Sequence, residues 1–303
     1  MTIRNESIDV KDLLIHVWSK KKQYMVTIAI ATTLSLAFLL TKENMYTSEI
    51  LLIPIKKDSS GNVLQGLSGQ FGGLANLAGV NLGVTDDNEG IIAKQTLTSR
   101  AFLVELIRGN HLEPLVYAAD GFRNGIVVFD ESLYDTANEK WNSEKLDGKD
   151  TPTDTDLYEK ITSFYSVVEN PENGTLRLSF EHVSPVFARD FLSLVFSEIN
   201  KKMRVRALDR SESRLDYLTR ESASSTAASV RQVLAQLIES EVNKRVLIDT
   251  EPNYSFDIVD PAFIPEEKSS PMRALILILM LAGTSVLFLA YCGLSFLFKE
   301  YSK

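Results

Sequence analysis

The sequence is poor in the residues that usually carry chemistry. Its single cysteine, Cys292, excludes an intramolecular disulfide framework and any cysteine-based zinc site. The three histidines, His16, His111 and His182, are too scattered to suggest a metal cluster, and no H-E-x-x-H occurs. Neither G-x-x-x-x-G-K-[ST] nor G-x-G-x-x-G is present, so no phosphate-cradling loop is assigned. Also missing are G-x-S-x-G and an S-x-x-K with the later partners it needs. Carboxylates are plentiful, but without a spacing rule a glycosidase-type pair among them carries no weight. With 32 Lys and Arg against 40 Asp and Glu, the net charge of -8 argues against a general nucleic-acid binder. We expect no enzyme and no cofactor, and read His111 and His182 as surface or hydrogen-bonded structural residues.

What the chain does have is two long runs without charge. Residues 24–41 are one (YMVTIAIATTLSLAFLLT), and as a helix they span about 27 Å, close to the apolar thickness of a bilayer. Residues 274–298 are the other, about 37 Å of helix, enough to cross with some tilt. The first run has no A-x-A-like site after it and 22 residues before its preceding Gln23, so it reads as an uncleaved anchor rather than a signal peptide. Residues 1–23 hold Arg4, Lys11, Lys20, Lys21 and Lys22, and residues 299–303 hold Lys299 and Lys303, which favours both tails on the cytoplasmic side. The tails carry +2 and +1 of the overall -8, so the 232 residues at 42–273 carry -11. The expected layout is a tail at 1–23, a span at 24–41, an external domain at 42–273, a span at 274–298 and a tail at 299–303. Two tails of that size are too small to house a kinase, an ATPase or a DNA-binding domain.

Within the external domain, residues 46–55 (YTSEILLIPI) read as a strand. Between Asp58 and Asp86 there is a charge-free stretch with seven glycines, in which Leu64, Leu67, Phe71, Leu74 and Leu77 recur at helical spacing. It is expected as a weak amphipathic helix near the membrane or against a neighbouring subunit. Residues 93–107 read as one helix, with Leu97, Ala101, Val104 and Ile107 or Leu103 on its apolar face. The acidic stretch 130–160 reads as a solvated arm. Residues 164–169 and 175–181 alternate around Asn173-Gly174, the strongest hairpin signal seen, with Asn-Gly supplying positive φ angles. Ser184-Pro185 is an N-cap followed by proline at the first helical position, opening a helix to about residue 206. A second helix is expected over about 209–248, without Gly or Pro, its small polar centre at 221–229 permitting close helix approach and self-association. Residues 255–259 read as a strand beside the first. Pro261, Pro265 and Pro271 then form a semi-rigid connector into the second span.

Five segments together resemble the Wzz-type chain-length determinants of the polysaccharide co-polymerase family. They are IDVKDLLIHVW before the first span, YTSEILLIP after it, GLANLAGVNLG, the long helical region, and DIVDPAFIPEEKSSPMRALIL entering the second span. The last, with Pro261, Pro265 and Pro271, is the most specific. The resemblance implies an α/β (α+β) periplasmic domain with long projecting helices, anchored by two transmembrane helices in a bacterial inner membrane. It also implies a non-catalytic homo-oligomer that sets the length of O-antigen or a related surface glycan. The implied partners are a separate polysaccharide polymerase, the growing lipid-linked glycan and the bilayer. With five residues after the second span, the branch carrying a cytoplasmic tyrosine kinase is not expected. An adaptor activating a separate cytosolic kinase shares this topology, but residues 299–303 are short for its contact sequence; a periplasmic sensor lacks an output domain. Gly283, Thr284 and Ser285 offer a small-residue packing face on the second span.

Overall fold

The computed structural model describes residues 18–55 and 87–301. The glycine-rich stretch between Asp58 and Asp86, with its expected helix, lies outside the described residues. In chain order the elements begin with α1 (Lys21–Leu40), β1 (Tyr46–Pro54), α2 (Asp87–Leu97), α3 (Arg100–Gly109) and α4 (Glu113–Tyr117). Next come β2 (Ala119–Arg123), β3 (Ile126–Phe129), β4 (Tyr134–Asp135), β5 (Lys140–Trp141) and α5 (Asp154–Thr162). The chain closes with β6 (Tyr165–Glu169), β7 (Leu176–His182), α6 (Pro185–Ser224), α7 (Ala228–Thr250), β8 (Phe256–Asp260) and α8 (Arg273–Tyr301). Two compact units result, Tyr46–Glu266 and the pair Met1–Met45 with Glu267–Lys303. This is the mixed helix and strand architecture with long helices that the sequence implies, and α1 and α8 are long and apolar enough to cross a membrane.

Unit Tyr46–Glu266 is built on an antiparallel sheet of order β6-β7-β1-β8. Alternation assigns one face of it to the core: Ser48, Ile50 and Leu52 of β1 and Leu176, Leu178, Phe180 and His182 of β7 are all buried. Ile50 stands opposite Leu178, so the apolar sets of both strands coincide. On the other face Arg177 pairs with Glu49 at 2.5 Å. The base of α6 lies on the buried face through Ala188, Phe191, Leu192, Val195, Ile199, Met203 and Ala207, a stripe at intervals of three and four.

α6 starts where the sequence predicts: Pro185 occupies its first position and the Ser184 hydroxyl accepts from the Phe187 N–H. Its length differs from expectation. One continuous helix runs from Pro185 to Ser224, forty residues and about 60 Å. The expected helix over 209–248 is therefore two pieces, the end of α6 and all of α7, with Ser225-Thr226-Ala227 between them. The small polar centre at 221–229 therefore contains the link between the two helices. Ser, Thr and Ala give no Gly or Pro signature, yet serine and threonine side chains compete for backbone groups and weaken a helix locally. Arg214 reaches Glu241 and Arg204 reaches the carbonyl of Glu251, so α6 and α7 run antiparallel as a hairpin. Beyond Ser211 no residue of α6 is fully buried; Leu215 and Leu218 are half-buried, as are Val233 and Leu237 of α7. Val230, Val242 and Val246, which recur along α7 at near-helical spacing, are exposed.

Two further differences have local causes. The helix predicted over 93–107 is α2 and α3, interrupted at Thr98-Ser99, where the Ser99 hydroxyl accepts from the Phe102 N–H and caps α3. Of the expected apolar face, Leu97, Leu103, Val104 and Ile107 are buried and Ala101 is exposed, while Phe102 and Leu106 are buried as well. The β6–β7 hairpin forms as predicted, but only Gly174 has positive φ and the connection spans six residues, 170–175. The two-residue Asn-Gly turn lies instead at Asn124-Gly125, both with positive φ, joining Arg123 of β2 to Ile126 of β3. The acidic arm is thus ordered, with β2–β3, β4–β5 and the boxed N-terminus of α5 formed by Thr153 and Asp156.

Two side chains of α6, Asn200 and Arg204, hold the return of the hairpin to the sheet. Asn200 of α6 is buried, and its Oδ1 accepts the N–H groups of Tyr254, Ser255 and Phe256 at 3.1, 2.8 and 3.1 Å. Its Nδ2 donates to the carbonyls of Phe196 and Phe256. One turn farther along, Arg204 donates to the carbonyls of Glu251 and Pro252. Replacing Asn200 by Ala strands three backbone donors, each worth about 1–3 kcal/mol when buried unpaired. Urea unfolding of Asn200→Ala should show at least about 3 kcal/mol lost; a midpoint indistinguishable from the parent would refute this role.

Candidate functional site

The proline connector begins where β8 ends. β8 pairs antiparallel with β1, as predicted, and Pro261, exposed, follows its last residue where no ladder donor is needed. The buried Ser48 hydroxyl on β1 donates to the Phe263 carbonyl at 2.7 Å, and Pro265 is buried. This stretch is thereby held to the strand rather than left as a loose linker.

In the other unit, the residues after the connector are fastened to those before β1. The Met45 N–H donates to the Ser270 carbonyl at 2.9 Å and the Ser269 N–H donates to the Met45 carbonyl at 2.8 Å. Arg273 donates to the Lys42 carbonyl and to Asn44 Oδ1. Pro271, half-buried, lies between these bonds and the start of α8. At the far end Lys20 donates to Ser295 Oγ at 2.9 Å and sits 4.7 Å over the Tyr291 ring. Between them the Tyr24 hydroxyl meets Ser285 Oγ at 3.0 Å, and its ring lies 5.0 Å from Phe288. These pairings make α1 and α8 antiparallel.

Of the three small residues singled out on α8, the structure brings only Ser285 against α1. A Cβ on Gly283 would meet nothing within 4 Å, and the Thr284 hydroxyl donates to the Met280 carbonyl of its own helix. Consecutive helical residues point about 100° apart, so Gly283 and Thr284 need not follow Ser285 onto the α1 side. The seam is Ser285, Phe288, Cys292 and Ser295, a three-four-three spacing that was readable but not singled out. Exposed apolar side chains cover the rest of both helices, among them Ile30, Leu34, Ile278 and Leu287. That all-round apolar surface suits a lipid surround.

His182 has a structural place. Its Nδ1 accepts the Ser184 N–H at 3.0 Å, so Nε2 carries the proton and donates to the Leu115 carbonyl at 2.9 Å. Phe180 stacks on the ring and Phe187 meets it edge-on. Burial disfavours the imidazolium and lowers the pKa to about 4. His111, with φ of 54°, lies in the turn after α3. Among the described residues, no group of three or more His, Cys, Asp or Glu could hold a metal ion. The His182 environment is fully stabilising above pH 6.5, and the contribution falls as pH drops from 6.5 through the folded pKa near 4. Its full size is about 3 kcal/mol. In unfolding measured from pH 7 to pH 4, His182→Gln should have the shallower slope; parallel pH profiles would contradict the assignment.

Comparison with known proteins places these observations in a context. Residues 6–109 match the family model for Wzz, the chain length determinant protein. No curated protein matches the chain. A solved structure described as a full-length bacterial polysaccharide co-polymerase is similar with a TM-score of 0.43 and 12% identity, covering 97% of this chain and 99% of that one. A fragment of WzzB, a polysaccharide co-polymerase from Salmonella Typhimurium, gives a TM-score of 0.30 and 11% identity, covering 75% of this chain and 100% of that one. Through residues 6–109, the chain carries the sequence pattern of the Wzz chain length determinant family.

Proposed function

We propose that this protein is a non-catalytic regulator of surface polysaccharide chain length, acting as an oligomeric inner-membrane scaffold for a separate polymerase. The observation that carries this reading is the family match over residues 6–109. In this reading α1 and α8 cross the bilayer, residues 1–23 and 299–303 are cytoplasmic, and 42–273 stands in the periplasm. The antiparallel pairing of α1 with α8 supports it, because such a pair returns the chain to the side it left. Lys20, Lys21 and Lys22 mark that side as cytoplasmic.

The chain's own residues supply position rather than chemistry. Pro261, Pro265 and Pro271 fix φ at three points of the connector after β8. Val230, Val242 and Val246 leave apolar surface on α7 for neighbouring subunits, since α6 covers only one side of it. Gly283, with open space around its α-carbon, gives a face on α8 where a polymerase helix can approach closely. Such a scaffold alters when elongation of the lipid-linked glycan stops without touching the bond being made.

A gel ladder of surface polysaccharide tests the reading. Cells lacking the gene should make undiminished total sugar but lose the modal cluster of bands, which complementation restores. An unchanged ladder contradicts length control.

A further inference from the structure

At the end of the α1–α8 pair opposite Lys20, three basic side chains gather around one neutral amide. The Arg273 guanidinium donates to the Lys42 carbonyl at 3.1 Å and to Asn44 Oδ1 at 3.2 Å. The Lys268 ammonium donates to the same Asn44 Oδ1 at 3.5 Å. The Lys42 ammonium lies 5.3 Å from the centre of the Phe38 ring, and Arg273 Nε is buried with no hydrogen-bond partner. Glu43, Glu266 and Glu267 are the acids nearest in sequence. Among the described residues, however, no carboxylate forms an ion pair with Lys42, Lys268 or Arg273.

Two cations on one uncharged oxygen repel each other, and an amide dipole offsets that repulsion only in part. Elsewhere basic side chains are matched by acids, Lys94 with Glu169, Lys202 with Glu105 and Arg210 with Glu89. Retention on the cytoplasmic side accounts for Lys20, Lys21 and Lys22, but this group stands at the other end of the antiparallel pair. Arg273 is also not a loose side chain reaching for water, since two acceptors hold its head. The arrangement suits an anion brought from outside the chain.

The adjoining surface selects the kind of anion. Phe38 and Leu40 in the last turn of α1 and Met272 and Leu275 at the start of α8 are exposed. A small inorganic anion would meet the charges and leave that apolar surface bare. An acidic peptide would lay polar backbone on it without partners. An amphiphile with a phosphate head and a hydrocarbon tail satisfies both parts, its phosphate oxygens accepting from guanidinium and ammonium.

We propose that Lys268 and Arg273, held side by side by Asn44 and joined by Lys42, bind the phosphate headgroup of a lipid whose tail lies along the exposed ends of α1 and α8. The proposal needs α1 and α8 to lie in a bilayer and does not draw on length control. Phospholipids and polyprenyl diphosphates share this chemistry, and the test separates them.

Native mass spectrometry of the full-length protein, released from an uncharged detergent, counts lipids bound per subunit. The titrants are phosphatidylglycerol, undecaprenyl diphosphate and phosphatidylcholine, with inorganic phosphate as competitor. Saturable binding of an anionic lipid is expected, at least about tenfold tighter than phosphatidylcholine, and the tighter of the two names the source. Asn44→Asp sets a carboxylate between the two cations, so it should raise the melting temperature and weaken anionic lipid at least about tenfold. Lys268→Gln should also weaken it, whereas Lys22→Gln should bind as the parent does. If Asn44→Asp does not fold, Lys268→Gln decides alone. Equal binding of phosphatidylcholine, undiminished binding by the Asn44 and Lys268 variants, an equal loss in Lys22→Gln, or full displacement by equimolar inorganic phosphate overturns the proposal. Carbonate extraction of membranes reports the spans separately. Extractable protein removes the bilayer premise, and resistant protein that binds no anionic lipid removes the site alone.

Discussion

The buried amide of Asn200 is the joint on which the larger unit depends. A forty-residue helix that leaves a small sheet has to be brought back, and the return costs buried backbone donors wherever the chain re-enters the core. Asn200 satisfies three of them with one oxygen and two carbonyl acceptors with its nitrogen. The clamp lies at the start of β8, which pairs with β1, and beside the buried Tyr254, whose hydroxyl donates to Glu89 on α2 at 2.8 Å. Arg210 also reaches Glu89, so α2, α6 and the return segment share one polar cluster. Packing of Phe180, Phe191 and Phe256 supplies the apolar burial, but it does not by itself fix where the hairpin comes down.

Periodicity made the repeating parts legible and left the interruptions hidden. The strands β1, β6, β7 and β8, the start of α6 and both apolar helices could be read because alternation, capping and run length each leave a mark over many residues. The breaks at Thr98-Ser99 and Ser225-Thr226-Ala227 rest on single serine or threonine choices inside otherwise helical sequence. Such residues are tolerated in a helix and favoured at its ends, so only tertiary contacts decide between the two. The two Asn-Gly pairs make the same point. Asn124-Gly125 forms the tight turn, whereas Asn173 instead turns its side chain to accept from the Thr175 N–H and hydroxyl. Asn200 was invisible because a lone asparagine in a helix has no signature until the chain 54 to 56 residues later is folded against it.

The candidate site was legible to different degrees. The proline series stood out by composition, but the reason it is held, a serine hydroxyl on β1 reaching Phe263, joins residues 215 apart in sequence. On α8 the small residues Gly283, Thr284 and Ser285 are contiguous, whereas the seam with α1 is made by Ser285, Phe288, Cys292 and Ser295. A helix presents faces, not runs, and the three-four-three spacing carried the information. The acidic arm looked like solvated charge because its aromatics are spread from Tyr117 to Trp141. Only the β4–β5 pairing brings Tyr134 and Trp141 together.

These features share a physical theme: the order of the described residues lies in reach and attachment, with long helices, pinned returns and two long apolar helices. His182 is held neutral by burial and two backbone partners, and Asn200 is saturated. The proposed role beside a reaction carried out by another protein would draw on that reach and attachment. The most direct measurement is the product-length distribution of the purified polymerase in proteoliposomes, with and without this protein, from the same lipid-linked precursor. The account predicts a distribution narrowed around a mode at unchanged total incorporation. An identical distribution, or one altered only by a change in total incorporation, would contradict it.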